Sequence, residues 1–192
     1  MINLAVLIYS KVRIEILRIL TVHPQSAFNI NELSRAAGFS PRGVERELKN
    51  LHAGGILKKE IAGNQHRFQL DPVCPVYAEI RTLIVKTNGV AGVLQDALKP
   101  YEKDITSAFV FGAFATADYG SESEIELFIV SGLSSPDLET ILDPARERTG
   151  RAISITHFTP NEFSWRKSLN DQILIPVIEG PKIEIISDIS KM

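Results

Sequence analysis

A single cysteine, Cys74, occurs in the 192 residues. It has no partner for an internal disulfide and no companion thiol for a zinc cluster. The chain is therefore expected to fold by packing alone, in a reducing cytoplasm, with Cys74 as a small buried hydrophobe. Long hydrophobic runs are missing as well. The longest near the start, Ile2 to Tyr9, is interrupted by Asn3. It falls far short of the ~18–20 residues of a membrane span and carries no basic leader or small-residue cleavage site, which predicts a soluble, unprocessed chain with no membrane partner. Repeats and low-complexity tracts are absent, and no Ser-His-Asp or Cys-His arrangement is suggested. The remaining composition, 44% hydrophobic and 23% charged, is that of a globular chain with a real core, which excludes disordered, collagen-like and disulfide-scaffold classes. The length admits one ordinary domain or two small ones.

Charge of one sign is scarce overall, with a formal net of −2, yet the distribution is uneven. Residues 1–70 carry ten Lys/Arg against five Asp/Glu, a net of +5, and residues 71–192 carry eleven against eighteen, a net of −7. A basic block followed by an acidic one predicts two modules with different partners, the first a polyanion.

Within the basic block, Val12, Ile14, Ile16, Leu17, Ile19 and Leu20 surround Arg13, Glu15 and Arg18, the pattern of a helix from Lys11 to Val22 covered on most sides. His23-Pro24 ends it. Asn29 with Glu32 three residues later forms a capping box, and Phe28 is placed to staple against Leu33. Gly38 gives the left-handed stop after Ala37. Ser40 then caps a third helix with Pro41 at its first position, and Phe39 is placed to staple against Val44. Val44, Leu48 and Leu51 mark that helix's buried face, leaving Arg42, Gly43, Arg46, Lys49 and Asn50 outward. Two short segments flanking Gly63-Asn64, Ile56 to Ile61 and His66 to Leu70, read as a hairpin. Three helices followed by a basic hairpin is the winged-helix arrangement. It predicts double-stranded DNA as the partner: the third helix in the major groove, with Ser40, Arg42, Gly43, Arg46, Lys49 and Asn50 at the interface. Lys58, Lys59, Asn64 and Arg67 would lie on the wing against phosphates.

Three of these positions have competing readings. Gly43 either permits close approach to a phosphate or is simply tolerated in a first turn, since mid-helix glycine costs ~1 kcal/mol relative to alanine. Arg42, Arg46 and Lys49 could be an ordinary solvated face, but the basic excess and the helix-turn-helix signals favour DNA. Glu45 and Glu47 flank Arg46 and repel phosphate; pairing of Glu45 with Lys49 at i, i+4 is the favoured reading over base contact.

Asp71-Pro72-Val73-Cys74-Pro75 is the expected seam, because two prolines fall where the charge changes sign. The expected organisation is α+β: a winged helix-turn-helix over 1–72, a connector of two helices over 73–104, the second stopped by Pro100, and an α/β domain with a small mixed sheet over 105–192. Strands are expected at Ile105 to Phe111, Glu124 to Val130, Arg151 to Phe158 and Ile183 to Ile186. Helices are expected from Pro136 to Leu142, with Pro144 as a breaker, and from Pro160 through Leu169. His157 reads as packing, and Trp165-Arg166-Lys167 as either a nucleic-acid contact or an amphipathic helix with Trp half-buried.

The most informative stretch is Phe111-Gly112-Ala113-Phe114-Ala115-Thr116-Ala117, a polar linker from Asp118 to Ser123, then Glu124-Ile125-Glu126-Leu127. Glu124 and Glu126 are i, i+2, so both carboxylates are expected on one strand face, where such a pair can bridge divalent cations. This resembles the small nucleotidyltransferase family related to DNA polymerase beta, whose signature is Gly-Ser, Arg-Gly, then Asp-x-Asp. The resemblance implies a phosphate-holding turn, a carboxylate pair binding Mg2+ beside a nucleotide triphosphate, and a third acid from a later strand. Gly112 matches. Ala113 replaces the serine, Thr116 and Ala117 replace Arg-Gly, and Glu124 and Glu126 replace the aspartates. Losing the hydroxyl and the arginine removes phosphate hydrogen bonds. Each Asp-to-Glu change moves a carboxylate by roughly 1.5 Å, where positioned sites tolerate about 0.5 Å. On the strand from Arg151 to Phe158 no third acid appears.

Over its length, from about Leu7 to Ile186, the chain resembles winged-helix proteins fused to a nucleotidyltransferase-like domain, described as transcriptional regulators. The matching landmarks are Ser40-Pro41, Val44, Arg46-Glu47-Leu48, Gly63-Asn64, Leu83 to Lys86 with Thr87, Phe111-Gly112, Arg151, Thr159-Pro160, Glu162-Phe163 and Gly180-Pro181-Lys182-Ile183. Typical members keep Gly-Ser and Asp-x-Asp. The expectation is a homodimeric DNA-binding regulator, with the connector helices as dimer surface, whose second domain is a sensor or oligomerisation module without confident cofactor. The alternatives are a metal-dependent nucleotidyltransferase using Glu124 and Glu126 on a protein or small-molecule hydroxyl, and a toxin-antitoxin partner protein.

Overall fold

The computed structural model describes residues 10–116, 118–120 and 122–187. The apolar run at 2–9, Ala117 of the motif and Ser121 of its linker lie outside the described residues. The chain divides into two units, Met1–Gly89 and Val90–Met192, and is mixed α+β.

In the first unit, α1 (Lys11–Val22) starts at Ser10, whose side chain accepts from the Arg13 amide. Every residue from Ile16 to Val22 is buried, so this helix is enclosed as its pattern requires. Next come α2 (Ile30–Ala37) and α3 (Pro41–Ala53). The Asn29–Glu32 capping box closes α2 in both directions, and Gly38 ends it at φ 70°. Ser40 caps α3, with Pro41 in its first turn. Ile16, Leu20, Leu33, Val44 and Leu48, all fully buried, form one cluster with Leu57, Leu70 and Ile84; each such side chain contributes about 1.5–3 kcal/mol on leaving water. Phe28 and Phe39, the expected staples, pack against this cluster.

Strands β1 (Leu57–Ala62) and β2 (Gln65–Leu70) pair antiparallel. Gly63 has φ 60° and Asn64 does not have positive φ, the pattern of a two-residue type II′ turn. Phe28 bridges Phe68 on the other edge of β2, its amide and carbonyl both bonded at 2.9 and 2.8 Å. Cys74 is half-buried, in the turn before α4 (Tyr77–Lys86), rather than buried as expected.

The second unit begins with α5 (Val90–Leu98), so the stretch 73–104, read from sequence as one connector, is shared between the units. Helix α5 ends at Leu98, as expected from Pro100, and a 3-10 helix follows over Lys99–Asp104 with Pro100 in its first turn, where a missing amide costs nothing. Strand β3 (Ile105–Phe111) follows, then the short α6 (Gly112–Thr116), β4 (Ile125–Ser131), α7 (Ser135–Thr149), β5 (Ile153–Phe158), α8 (Pro160–Ser168), α9 (Leu174–Glu179) and β6 (Ile183–Ser187). The sheet order is β5-β4-β3-β6, with β4 and β5 parallel and both edges of β3 antiparallel. Phe109 and Phe128 stack with centroids 4.7 Å apart. Phe158, Phe163 of α8 and Leu174 of α9 join them in a cluster covering one sheet face.

One expectation fails here, and one helix has no counterpart in the sequence reading. Pro144 does not break the helix: α7 continues through it to Gly150, which caps it at φ 62°. A proline inside a helix costs about 3 kcal/mol, but Leu138, Leu142, Ala145 and Thr149 bury one stripe across the break. In addition, Arg146 donates to the Glu139 carbonyl at 2.8 Å. Helix α9 was unforeseen because it is short and contains Pro176. Asp171 initiates it, accepting from the amides of Ile173 and Leu174. No described helix is long and apolar enough to cross a membrane.

Candidate nucleic-acid interface

The exposed side of α3 carries Arg42, Arg46, Lys49 and Asn50. The Arg46 and Lys49 side chains are 71% and 73% exposed, so their charges face water rather than the core. Together with Ser40, Gly43 and Glu45, the three cations line an open depression of about 550 Å³. Ser40 accepts from the Gly43 amide at 3.4 Å. A Cβ built on Gly43 meets only Ser40 Oγ, at an ordinary 3.4 Å, so nothing inside the fold requires glycine at this position.

The two acids beside Arg46 separate by role. Glu45 pairs with Lys49 at 2.8 Å, as the i, i+4 spacing predicts, and Lys49 holds the Glu45 carboxyl below its ordinary value. Glu47 is 4% exposed and points into the unit. It accepts from Ser10 Oγ at 2.9 Å and from Arg13 Nε at 3.0 Å, and Arg13 Nη2 approaches to 2.9 Å. Glu47 latches α3 to the start of α1, and its Oε1 stands 3.6 Å from Arg46 Nη2, so it also offsets part of that cation's charge. No local pattern records this, because the partners lie 34 and 37 residues away.

On the hairpin, Lys59 is exposed, Lys58 pairs with Glu60 at 2.8 Å and Asn64 sits in the exposed turn. Arg67 serves the fold: its Nη2 donates to the Ala27 carbonyl at 2.6 Å and to Glu32 at 3.1 Å, tying β2 to the beginning of α2. Asn29 Nδ2 donates to Gln65 Oε1 at 2.9 Å beside it.

In the second unit, Gly112 adopts φ 65°, and a Cβ there would overlap the Glu126 carboxylate. Glu126, half-buried on β4 opposite Phe111, thus lies directly on the Gly112 turn. Ala113 is half-buried at the start of α6, while Glu124 precedes β4 by one residue and is exposed. Arg151 packs behind this turn, 6% exposed, donating to the Ser123 carbonyl at 3.1 Å and lying 5.8 Å from the Phe114 ring centre. Burial lowers its pKa, opposed by Tyr119 and Glu122. Among the described residues no three His, Cys, Asp or Glu side chains come together around a metal position. His157 is more than packing: its ring nitrogens lie 3.1 Å from Ser131 Oγ and 3.2 Å from Ser135 Oγ. Trp165 is 62% exposed.

No protein-family model matches the chain, and no curated protein matches it. Among solved structures, human N-acetylserotonin methyltransferase in complex with SAM aligns over 51% of this chain and 33% of its own, at 13% identity and a TM-score of 0.31. A likeness of that size does not define a fold.

Proposed function

We propose that the first unit is a winged-helix domain that binds double-stranded DNA, and that the chain acts as a homodimeric transcriptional regulator. The observation that carries this reading is the outward face of α3. Arg42, Arg46 and Lys49 are all solvent-facing, the adjoining Glu47 is turned inward, and Lys59 is exposed on the hairpin. A helix about 10–12 Å across fits the major groove, where Arg and Lys read guanine and Asn reads adenine. Phosphate contacts from the hairpin would fix its register. One such module reads a short half-site, so a dimer on a two-fold operator is the natural assembly. The second unit, whose turn at Gly112 is filled by Glu126, serves as a non-catalytic nucleotidyltransferase-like module.

Selection of bound duplexes from a randomised library, with the full chain as bait, tests the reading. Enrichment of one two-fold-symmetric motif is the expected result. Recovery of random sequence, or of no DNA, overturns it. Incubation with labelled nucleotide triphosphates and Mg2+ tests the second part: no label transfer is expected, and transfer that disappears in Glu126→Gln would overturn it.

A further inference from the structure

The second unit has a cavity that neither the DNA-binding reading nor the Gly112 turn uses. Its volume is about 310 Å³, within the range of small-molecule sites. It lies between the first residues of β3, the last of β4 and helix α8, with Val130, Pro160 and Phe163 as apolar walls. Ser107 also lines it. This residue is 2% exposed, and its Oγ has no hydrogen-bond partner. Buried hydroxyls are nearly always paired, so this one is an unused donor and acceptor just behind the wall of the cavity.

The strand is locally built for this. The β3–β4 register shifts between Ile105 and Ser107, leaving Thr106 as the extra residue of a bulge. Bulges re-aim side chains, and here Thr106 and Ser107, neighbours that would face opposite sides of a regular strand, both line the cavity. Ser164 and Ser168 offer nothing further, since their hydroxyls donate to the carbonyls of Pro160 and Trp165. At the rim, Lys167 lies 6.0 Å from the Phe163 ring centre and has no ion pair among the described residues.

We propose that this cavity binds a small organic monocarboxylate with an aromatic or branched aliphatic body. The carboxylate meets Lys167, an oxygen meets Thr106, and the hydrocarbon body lies against Val130 and Phe163. A single ammonium is a point charge that suits one carboxylate; a phosphate site gathers several donors, and here no arginine or second lysine lines the wall. The inference is independent of DNA binding, since every residue belongs to the second unit.

NMR titration of the full chain with benzoate, isovalerate and the neutral benzamide tests it. Saturable shifts are expected at Ser107, Val130 and Phe163, with benzoate bound about tenfold more tightly than benzamide, the ratio of one charge-assisted contact. Lys167→Ala, at an exposed position, should abolish that preference, and Ser164→Trp should close the mouth and abolish the shifts. Equal binding of benzoate and benzamide, a preference that survives Lys167→Ala, or no saturable shift from either acid up to about 20 mM would overturn the proposal.

Discussion

Removing the Glu47 carboxylate should loosen α3 from α1 while, of the solvent-facing cations, only Arg46 loses a contact, at 3.6 Å. Glu47 accepts two charge-assisted hydrogen bonds, at 2.9 Å from Ser10 Oγ and 3.0 Å from Arg13 Nε, and Arg13 Nη2 stands 2.9 Å away as its ion-pair partner. Hydrogen bonds to charged groups contribute about 1.5–3 kcal/mol each. Arg13 is 37% exposed and can turn to water once its partner is gone, so the sum must be discounted for solvent; about 2–3 kcal/mol is expected for Glu47→Ala. Glu47→Gln, which retains shape and some of the bonds, should cost about half as much. Burial pushes the carboxyl upward, but donation from Ser10 and Arg13 and the charges of Arg13 and Arg46 outweigh it and hold it below the ordinary value. A depressed folded pKa means that the unfolded chain binds more protons in acid. The contribution is thus complete above the unfolded value of about 4.3 and lost as pH falls through the folded one. Amide exchange of the full chain reads the effect locally: protection in α1 and α3 should drop about thirtyfold in Glu47→Ala while β4 amides, in the other unit, stay unchanged. Arg13→Met should couple to it by at least about 1 kcal/mol. Unchanged α1 and α3 exchange, or two effects that simply add, would refute the latch.

Three further outcomes follow from side-chain placement. Arg67→Ala should lower stability by about 1–2 kcal/mol in urea unfolding, because it frees the Ala27 carbonyl and Glu32, whereas Lys59→Ala should leave stability unchanged and weaken only DNA binding. Gly112→Ala should cost at least about 1–2 kcal/mol from its left-handed backbone plus the overlap with Glu126; adding Glu126→Ala should recover the overlap part alone, readable as two distinct melting temperatures. Pro144→Ala, at an exposed position, should raise the stability of α7 by restoring a backbone donor to Thr140, by up to about 3 kcal/mol in calorimetry.

The helices of the first unit were legible because their signals are local. Asn29 with Glu32, Gly38, and Ser40 with Pro41 lie within a few residues of the termini they set, and Val44, Leu48 and Leu51 record the buried face directly. The four strands of the second unit were legible from their β-branched and aromatic runs. Pro144 misled because a local breaker was overruled by burial on both sides of it, and α9 was missed because Asp171, its initiator, precedes a helix too short for periodicity. At the candidate sites, the outward cations of α3 could be placed from spacing alone. The fates of Glu47 and Arg67 could not, since each is decided by a partner more than thirty residues away. The Ser107 cavity depends on a one-residue register shift that no composition pattern records. Glu126 could be assigned to its strand, but not laid on Gly112.

Contact of the outward face of α3 with phosphates and bases is read from the salt dependence of DNA affinity for the native chain and for the Arg42→Ala, Arg46→Ala, Lys49→Ala triple variant. If all three cations neutralise phosphates, the slope of log K against log salt should become shallower by about 2.7, at 0.9 per contact, and affinity should fall sharply. An affinity and slope equal to those of the native chain would contradict the account.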